Sequence, residues 1–380
     1  APLTTALSHE DVKCFGGNDG KVMSSSQGGT QPYTFMWSSG STASSQDYLQ
    51  TGWYYLTVVD AHGCSVDDST FIDQPEQPLS STYEVTDVLC KNGSDGGIDF
   101  DVIGGTQPYR YSWSNGATSS YLSNLLANHY SVTVTDANDC FIIDNIQVNE
   151  PAASVSVVAS VTPVSCFGNT DGAITTLPAG GVPPYTYSWT DSKVILHNTD
   201  SILNNVQVGV YTVTITDAHD CKVVNTNQVT GPEKLDMFYN VSDITCYEEA
   251  NGRLWLTVTG GTTPYLYNWS TGSTDRNIDS LVDGSYTVTI TDANNCVLES
   301  DPIRMTQPDL LTLDAVVSDV SCIGNHDGVI DLNAFGGVGF YKYRWSNGSQ
   351  DPINNELEAG VYDVTVTDAN GCIATDTFTV

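Results

Sequence analysis

Basic residues are scarce in this chain. Lys and Arg together number 12 against 45 Asp and Glu, a formal net charge of −33 over 380 residues. A surface of that sign repels nucleic acid and anionic membranes, and it favours solubility, self-repulsion along an extended shape and loose attraction of divalent cations. Long apolar runs are missing as well: nothing approaches the roughly 18 consecutive apolar residues that a membrane helix needs, so no membrane insertion is expected. No segment has helical periodicity. There is no CxxC or Cys/His cluster of zinc spacing, no HExxH, no phosphate loop and no nucleophile motif. The six His residues (His9, His62, His129, His197, His219 and His326) share no common setting beyond a loose pair, His62 and His219. Carboxylates are abundant enough for a glycosidase pair. A chain built by repetition without a unique insertion argues against any enzyme, and none is expected. Ala1 already stands within a repeat and no signal peptide precedes it, so the chain reads as an excised or processed piece.

What is present is one module of about 76 residues written five times. The opening cysteines Cys14, Cys90, Cys166, Cys246 and Cys322 are spaced 76, 76, 80 and 76 apart. The closing cysteines are Cys64, Cys140, Cys221, Cys296 and Cys372, and a tryptophan recurs at Trp37, Trp113, Trp189, Trp269 and Trp345. The module boundaries fall at 1–76, 77–152, 153–233, 234–308 and 309–380. So small a unit buries a modest core and is expected to carry a covalent staple, and ten cysteines, two per module, place it in an oxidising, extracellular setting. Only 25 or 26 residues separate a closing cysteine from the next opening one, enough for a last strand and a following first strand with almost no free linker.

In the second module, Ser80 to Cys90 reads as a first strand. Ile98-Asp99-Phe100-Asp101-Val102 alternates with period two, and Gly104-Gly105-Thr106-Gln107-Pro108 breaks the chain. Tyr109, Tyr111 and Trp113 share a strand face, Asn115-Gly116 signals a hairpin turn, Tyr130, Val132 and Val134 alternate again, and Cys140 to Val148 is the last strand. A Leu or Val stands five residues before a Tyr in every module (Leu49/Tyr54, Leu125/Tyr130, Val206/Tyr211, Leu281/Tyr286, Leu357/Tyr362), the pattern of an immunoglobulin tyrosine corner. The fold expected is all-β: five immunoglobulin-like sandwiches in tandem, an elongated rod of roughly 150–200 Å at strands of ~8 residues per module. The closing hairpins (Asp60-Ala-His-Gly-Cys64, then DANDC, DAHDC, DANNC and DANGC) place a residue tolerant of a left-handed backbone before each cysteine, and their leading Asp can accept an amide across the turn.

Together Cys166-Phe-Gly-Asn-Thr-Asp-Gly172, Gly180-Gly181, Pro184-Tyr185-Thr-Tyr-Ser-Trp189 and Gly209-Val-Tyr-Thr-Val-Thr-Ile-Thr-Asp-Ala-His-Asp-Cys221 resemble the SprB repeat of large surface adhesins of gliding Bacteroidota. The resemblance runs through all five modules. It departs at Asn251-Gly252, which replaces Asp-Gly, at Phe340-Tyr341, which replaces Pro-Tyr, and at an insertion near Ser192–Asn198 that lengthens one Cys–Cys interval from 50 to 55. It implies export by type IX secretion, a cell-surface location and a role in adhesion or gliding. The partners implied are further repeats of the same long polypeptide and an unnamed surface polysaccharide or other target. Ser69, Ser201 and Ser280, each after an Asp (Asp68, Asp200, Asp279), fit the O-glycosylation context of that group of bacteria.

Three further expectations concern sites. The disulfides are expected within modules (Cys14–Cys64, Cys90–Cys140, Cys166–Cys221, Cys246–Cys296, Cys322–Cys372), because small secreted domains usually carry their own staple; a count of four strands between the cysteines permits the bridge, although it puts both termini at one end, which is awkward for a straight rod. A topology that separates them would instead pair an opening cysteine with the next module's hairpin, as in Cys14–Cys140 or Cys90–Cys221, and make the rod a stapled cable. Within-module pairing would also draw the opening-loop Asp19, Asp95, Asp171 and Asp327 towards Asp60, Asp136, Asp217 and Asp368. Those carboxylates fall short of the ~6–8 oxygens calcium takes, so no cofactor is expected and calcium is at most peripheral. Trp53 and Trp255 lie outside the repeat pattern, and Trp53 has the opposite strand parity from Tyr54; both are candidates for an exposed glycan contact.

Overall fold

The computed structural model describes residues 1–191, 194–196 and 198–380, and among these every regular element is a β-strand. Ser192, Lys193 and His197 lie outside the described residues. The first module contains β1 (Thr4–Glu10), β2 (Gly20–Gln27), β3 (Thr34–Trp37), β4 (Ser45–Leu49), β5 (Gly52–Val59) and β6 (Ser65–Ile72). They form two three-stranded antiparallel sheets, ordered β1-β2-β4 and β3-β5-β6. The second and fifth modules repeat this order; the third adds a short strand at the edge of one sheet, and in the fourth the equivalents of β5 and β6 are each interrupted, so that one sheet divides into two. This is an immunoglobulin-like sandwich with six strands and a different strand at the centre of each sheet.

Period-two alternation sets which side chains face inwards. Ile98 and Phe100 are buried between exposed Asp99 and Asp101, and Tyr130, Val132 and Val134 are buried on the facing sheet. All five repeat tryptophans are at most 4 % exposed. Each donates its indole N–H to a carbonyl in the loop after its strand: Ala43, Ser119, Asp200, Asp275 and Asp351, at 2.8–2.9 Å. The tyrosine corners are in place, with Tyr54, Tyr130, Tyr211, Tyr286 and Tyr362 donating to the carbonyl four residues upstream at 2.8–3.1 Å.

One strand per module escapes a pattern search. In Tyr121–Leu125 the buried residues are Leu122 and Leu125, three apart, because Asn124 (φ 56°) sits in a bulge where the register shifts. Asn115-Gly116 turns the chain but joins no ladder in its module: the strand Arg110–Trp113 pairs only with Asn128–Thr135, and the chain then crosses to the other sheet. In the third module the insertion makes this a paired hairpin, Ile195–Leu196 against Thr186–Asp191.

The direction of the strands overturns the within-module disulfides. β3 covers one half of β5 (Thr34 opposite Val59, Trp37 opposite Leu56), and β4 covers the far half of β2 (Ser45 opposite Met23, Leu49 opposite Gly20). β3 and β4 therefore run the same way, each for half a module length, and the four strands between Cys14 and Cys64 amount to three traverses. The cysteines lie at opposite ends of the module. So do Thr4 and Ile72, which gives the rod.

The surface area agrees with an open array. A compact 40.8 kDa chain would expose about 14,600 Å² and five separate modules about 22,600 Å², and the observed area is 22,085 Å². The five cores are separate, and the linkers between them are held at both ends. Val12 donates to the Asp73 carbonyl and Gly16 to the Gln74 side chain, while Gly105 of the second module donates to the Gln77 carbonyl.

Candidate functional site: the joint between modules

Four disulfides cross the joints: Cys14–Cys140, Cys90–Cys221, Cys166–Cys296 and Cys246–Cys372, with Cα separations of 5.6–5.7 Å. Each joins the opening loop of one module to the closing hairpin of the next. The pairings Cys14–Cys64, Cys90–Cys140, Cys166–Cys221, Cys246–Cys296 and Cys322–Cys372 do not form, and Cys64 and Cys322 are free and exposed.

The closing hairpin is organised by its Asp. In the second module, buried Asp136 accepts the amides of Asn138 and Cys140 on one oxygen and that of Thr106, after the Gly104-Gly105 turn, on the other, all at 2.8–2.9 Å. Asp60, Asp217, Asp292 and Asp368 make the same three contacts. The Thr30 amide holds the Asp60 carboxyl below the usual range against the effect of burial, with the amides of Cys64 and His62 adding to it. Burial would raise Asp217, but the amides of Val182, Cys221 and His219 together bring it below its ordinary value. The paired glycines follow from this: a Cβ on Gly105 would meet an Asp136 oxygen at 2.8 Å, and one on Gly104 would lie 2.0 Å from the Pro78 carbonyl oxygen.

The third residue of the hairpin makes the polar contact across the joint. Asn138 donates to the Lys13 carbonyl at 3.0 Å, His219 through Nδ1 to Leu89 at 3.3 Å, Asn294 to Ser165 at 2.8 Å and Asn370 to Thr245 at 2.9 Å. In every case the acceptor is the residue before the opening cysteine. That residue is itself fixed by the opening loop: Asp19 accepts the Lys13 amide, Asp95 that of Leu89, Asp171 that of Ser165, Asn251 that of Thr245 and Asp327 that of Ser321, at 3.0–3.2 Å. The Ser165 side chain and amide hold the Asp171 carboxyl below the usual range, and those of Ser321 do the same for Asp327. Each opening-loop Asp thus aims a carbonyl at the next module. Asn251 accepts the same amide with its amide oxygen, which is why the fourth module functions without a carboxylate there.

The calcium geometry considered from the sequence does not arise as drawn. Asp19 and Asp60 stand at opposite ends of their module, as do Asp95 and Asp136, Asp171 and Asp217, and Asp327 and Asp368, because the cysteines beside them do. Among the described residues no group of three or more His, Cys, Asp or Glu is arranged to hold a metal. Sequence reasoning missed the linker acceptors Gln74, Glu150 and Gln307, which take the amides of Gly16, Asn92 and Glu248 and tie three of the four linkers to the opening loop beneath them. Their only sequence signal is an amide or carboxylate side chain two residues after the last strand of the first, second and fourth modules; the third has Gly231 there.

Trp53 is 57 % exposed on the outer face of β5, stacked on Tyr55 at 6.2 Å and tilted against Phe71 at 5.4 Å. The matching pairs elsewhere, His129 with Gln147, Val210 with Gln228, Ser285 with Arg304 and Val361 with Thr379, carry no such cluster. Trp255 is exposed on the strand Gly252–Thr259. Ser69 and Ser280 are exposed, and the carbonyl of half-buried Ser201 accepts from Thr176.

The family model of the SprB repeat matches residues 6–42, 82–118, 158–194, 239–274 and 315–350, from the first strand of each module past its tryptophan. No curated protein matches the chain. Among solved structures, the chain is similar to the N-terminal eight Ig domains of Down Syndrome Cell Adhesion Molecule (12% identity, TM-score 0.29), where it is covered in full and spans 60% of that structure's length. It is also similar to immunoglobulin domains 1–5 of Sidekick-1 (11% identity, 95% of this chain and 94% of that one, TM-score 0.32). A third likeness is to three N-terminal domains of the bacteriophage RB49 Highly Immunogenic Outer Capsid protein (13% identity, 60% and 98%, TM-score 0.33).

Proposed function

Because the chain belongs to the SprB-repeat family, we propose that it is a stalk segment of a secreted cell-surface adhesin or filament, serving adhesion or gliding by spanning distance and resisting tension. The observation that carries this is the overlap of the disulfide loops. Cys90 lies inside the loop closed by Cys14–Cys140, Cys166 inside Cys90–Cys221 and Cys246 inside Cys166–Cys296. Tension entering through β1 reaches Cys14, crosses to Cys140 and passes up the last strand of the second module without unravelling either module's interior. Fully extended, 380 residues reach about 1,300 Å, whereas the crossed bonds leave a covalent path of roughly 100 residues, about 350 Å. A role in bearing tension explains why the bonds join modules rather than close them.

Single-molecule pulling tests this. The oxidised chain should stop lengthening near 350 Å, and the same chain in reductant should extend module by module by about 250 Å each. Stepwise extension of that size without reductant would defeat the reading. Export by type IX secretion and a cell-surface location belong to the same proposal, as does a peripheral role for calcium in screening the acidic surface. Chelation should then lower the melting temperature only slightly, and a fall of tens of degrees would remove that part.

A second reading, glycan or surface-polymer binding, is favoured by the Trp53–Tyr55–Phe71 cluster, since flat exposed rings suit the apolar faces of sugars. Glycan-array binding abolished by Trp53→Ala would support it; binding unchanged by that substitution would remove it.

A further inference from the structure

The third joint lacks a part that the other three carry. In the first, second and fourth modules the second residue after the opening cysteine is Gly16, Asn92 or Glu248, each with a left-handed backbone (φ 57–73°). Its amide is accepted by the linker side chain of Gln74, Glu150 or Gln307 at 2.6–2.8 Å. Gly168 has the same left-handed backbone (φ 80°) on the same turn, in which Asn169 donates to the Cys166 carbonyl as Gly17 does to that of Cys14. The residue at the linker position is Gly231, which has no side chain to offer. Nor is there room for one: a Cβ there would lie 2.2 Å from a Val164 methyl. Among the described residues nothing accepts the Gly168 amide.

An open cleft of about 360 Å³ lies at this position, lined by Phe167, Gly168, Val208, Gly231, Pro232 and Glu233 among others. The ring beside the opening cysteine is correspondingly bare. Phe167 is 62 % exposed, against 47 % for Phe15 and 40 % for Tyr247, whose joints keep their glutamine. The Asn169 side chain is already engaged, donating to Ser165 Oγ at 3.0 Å. The cleft thus sets one main-chain donor beside exposed apolar and aromatic surface, the make-up of a small-molecule site.

The other three joints identify the occupant by its chemistry. Each fills the position with an amide or carboxylate oxygen on a short apolar stem. A free carboxylate is disfavoured at the third joint, where Glu233 lines the cleft and the chain carries a net charge of −33. A neutral amide carbonyl fits the donor, and the bare ring of Phe167 favours a flat apolar partner beside it. We propose that this cleft binds an N-acetylated amino sugar. Its acetamido carbonyl accepts the Gly168 amide as Gln74 and Gln307 accept those of Gly16 and Glu248, its acetyl methyl packs against Val208 and Pro232, and the apolar face of its ring lies on Phe167. Hydroxyls on the far side of the ring stay in water. A glutamine side chain on a separate peptide carries the same amide but no flat face for Phe167. The site is distinct from the Trp53 cluster, which lies in the first module, and does not rest on that reading.

The test follows the backbone amide resonances of the whole 380-residue chain, isotope-labelled, during titration with N-acetylglucosamine. The Gly168 amide should move saturably, with a dissociation constant on the order of 1 mM for a monosaccharide. The amides of Gly16, Asn92 and Glu248, which have their own acceptors, should stay in place. Glucose, which lacks the acetamido group, and acetate, which is charged, should each bind at least about ten-fold more weakly. Phe167→Ala changes an exposed side chain outside the core; it should weaken N-acetylglucosamine about five-fold and leave the Trp189 indole resonance unchanged. Trp53→Ala should leave the Gly168 response as it is. The proposal fails if Gly168 does not respond, if glucose or acetate moves it equally, or if Phe167→Ala leaves binding intact. An N-acetylated glutamine amide that moves Gly168 at lower concentration than the sugar would also overturn it, in favour of a protein partner. The readout is local to the third joint, so its failure leaves the pulling experiment and the Trp53 test untouched.

Discussion

The inside of a module and the joint between modules are held by different physics. Inside, six to twelve buried side chains, such as Leu254, Leu256, Trp269 and Ile290 in the fourth module, make up an apolar core. At the joint, one disulfide and one side-chain hydrogen bond to a carbonyl link two modules whose cores are separate. The core stabilises the fold by area removed from water, an effect that falls away within a molecular diameter and cannot direct one module onto the next. The joint relies on a covalent bond and loops pre-set by carboxylates. A rod can therefore be joined covalently without a shared core.

The largest effect should follow from damage to the interior. Trp189→Ala, at a side chain with no exposure, should cost the third module about 3–5 kcal/mol, comparable to the whole stability of so small a unit. Denaturant titration followed by hydrogen exchange should locate the loss in residues 153–233 and leave the neighbouring modules protected. A loss spread evenly over all five modules would mean that joint and interior are one cooperative unit.

Asp136→Ala strikes both at once. It strips three amides of their acceptor at a buried position, and about 2–3 kcal/mol should be lost from the second module. The Cys14–Cys140 bond should also become easier to reduce, because Cys140 loses its fixed hairpin. Thiol titration at graded reductant checks this, and unchanged reducibility would show that the bond needs no organised loop.

Acid provides a smaller and graded version. The Asp60, Asp171, Asp217 and Asp327 carboxyls are held below their ordinary values in the folded chain. Their contribution is fully present above the unfolded carboxyl value of about 3.9 and is lost as pH falls through the lower folded values. Melting temperature should therefore change little between pH 7 and about 5 and fall below about 4. A fall that begins near pH 6 would implicate the histidines instead.

The smallest effect should come from Asn138→Ala. It removes the side-chain bonds to the Lys13 carbonyl and to Thr106 Oγ1 from a half-buried site, and stability should change by no more than about 1 kcal/mol. A change several times larger would show that hydrogen bonding, and not the disulfide, holds the joint.

Much of a module was legible because its rules are local. Alternation marked the strand containing Ile98 and Phe100 and the one containing Tyr130 and Val134, and the Leu/Tyr spacing marked the corner that Tyr130 closes on the Leu126 carbonyl. The strand Tyr121–Leu125 was hidden by its bulge, which puts Leu122 and Leu125 on one face at a spacing foreign to a regular strand. The joint was legible only as two alternatives. The habit of small secreted domains favoured bridges within modules and the strand count permitted them; the count failed because β3 and β4 are half-length strands that run the same way.

By itself, then, the sequence determined five modules, their all-β character, their buried faces and their acidic surface. Each of these rests on composition, on a two-residue period or on near neighbours in the chain. Only the tertiary structure decided which cysteine meets which. Cys14 and Cys140 are 126 residues apart, and their meeting depends on the direction of every strand between them and on the stacking of one module on the next. A single strand that crosses sheets instead of reversing moves a cysteine to the other end of its module. No local pattern records that crossing, because the hydrophobic face of a strand is the same whichever way the strand runs.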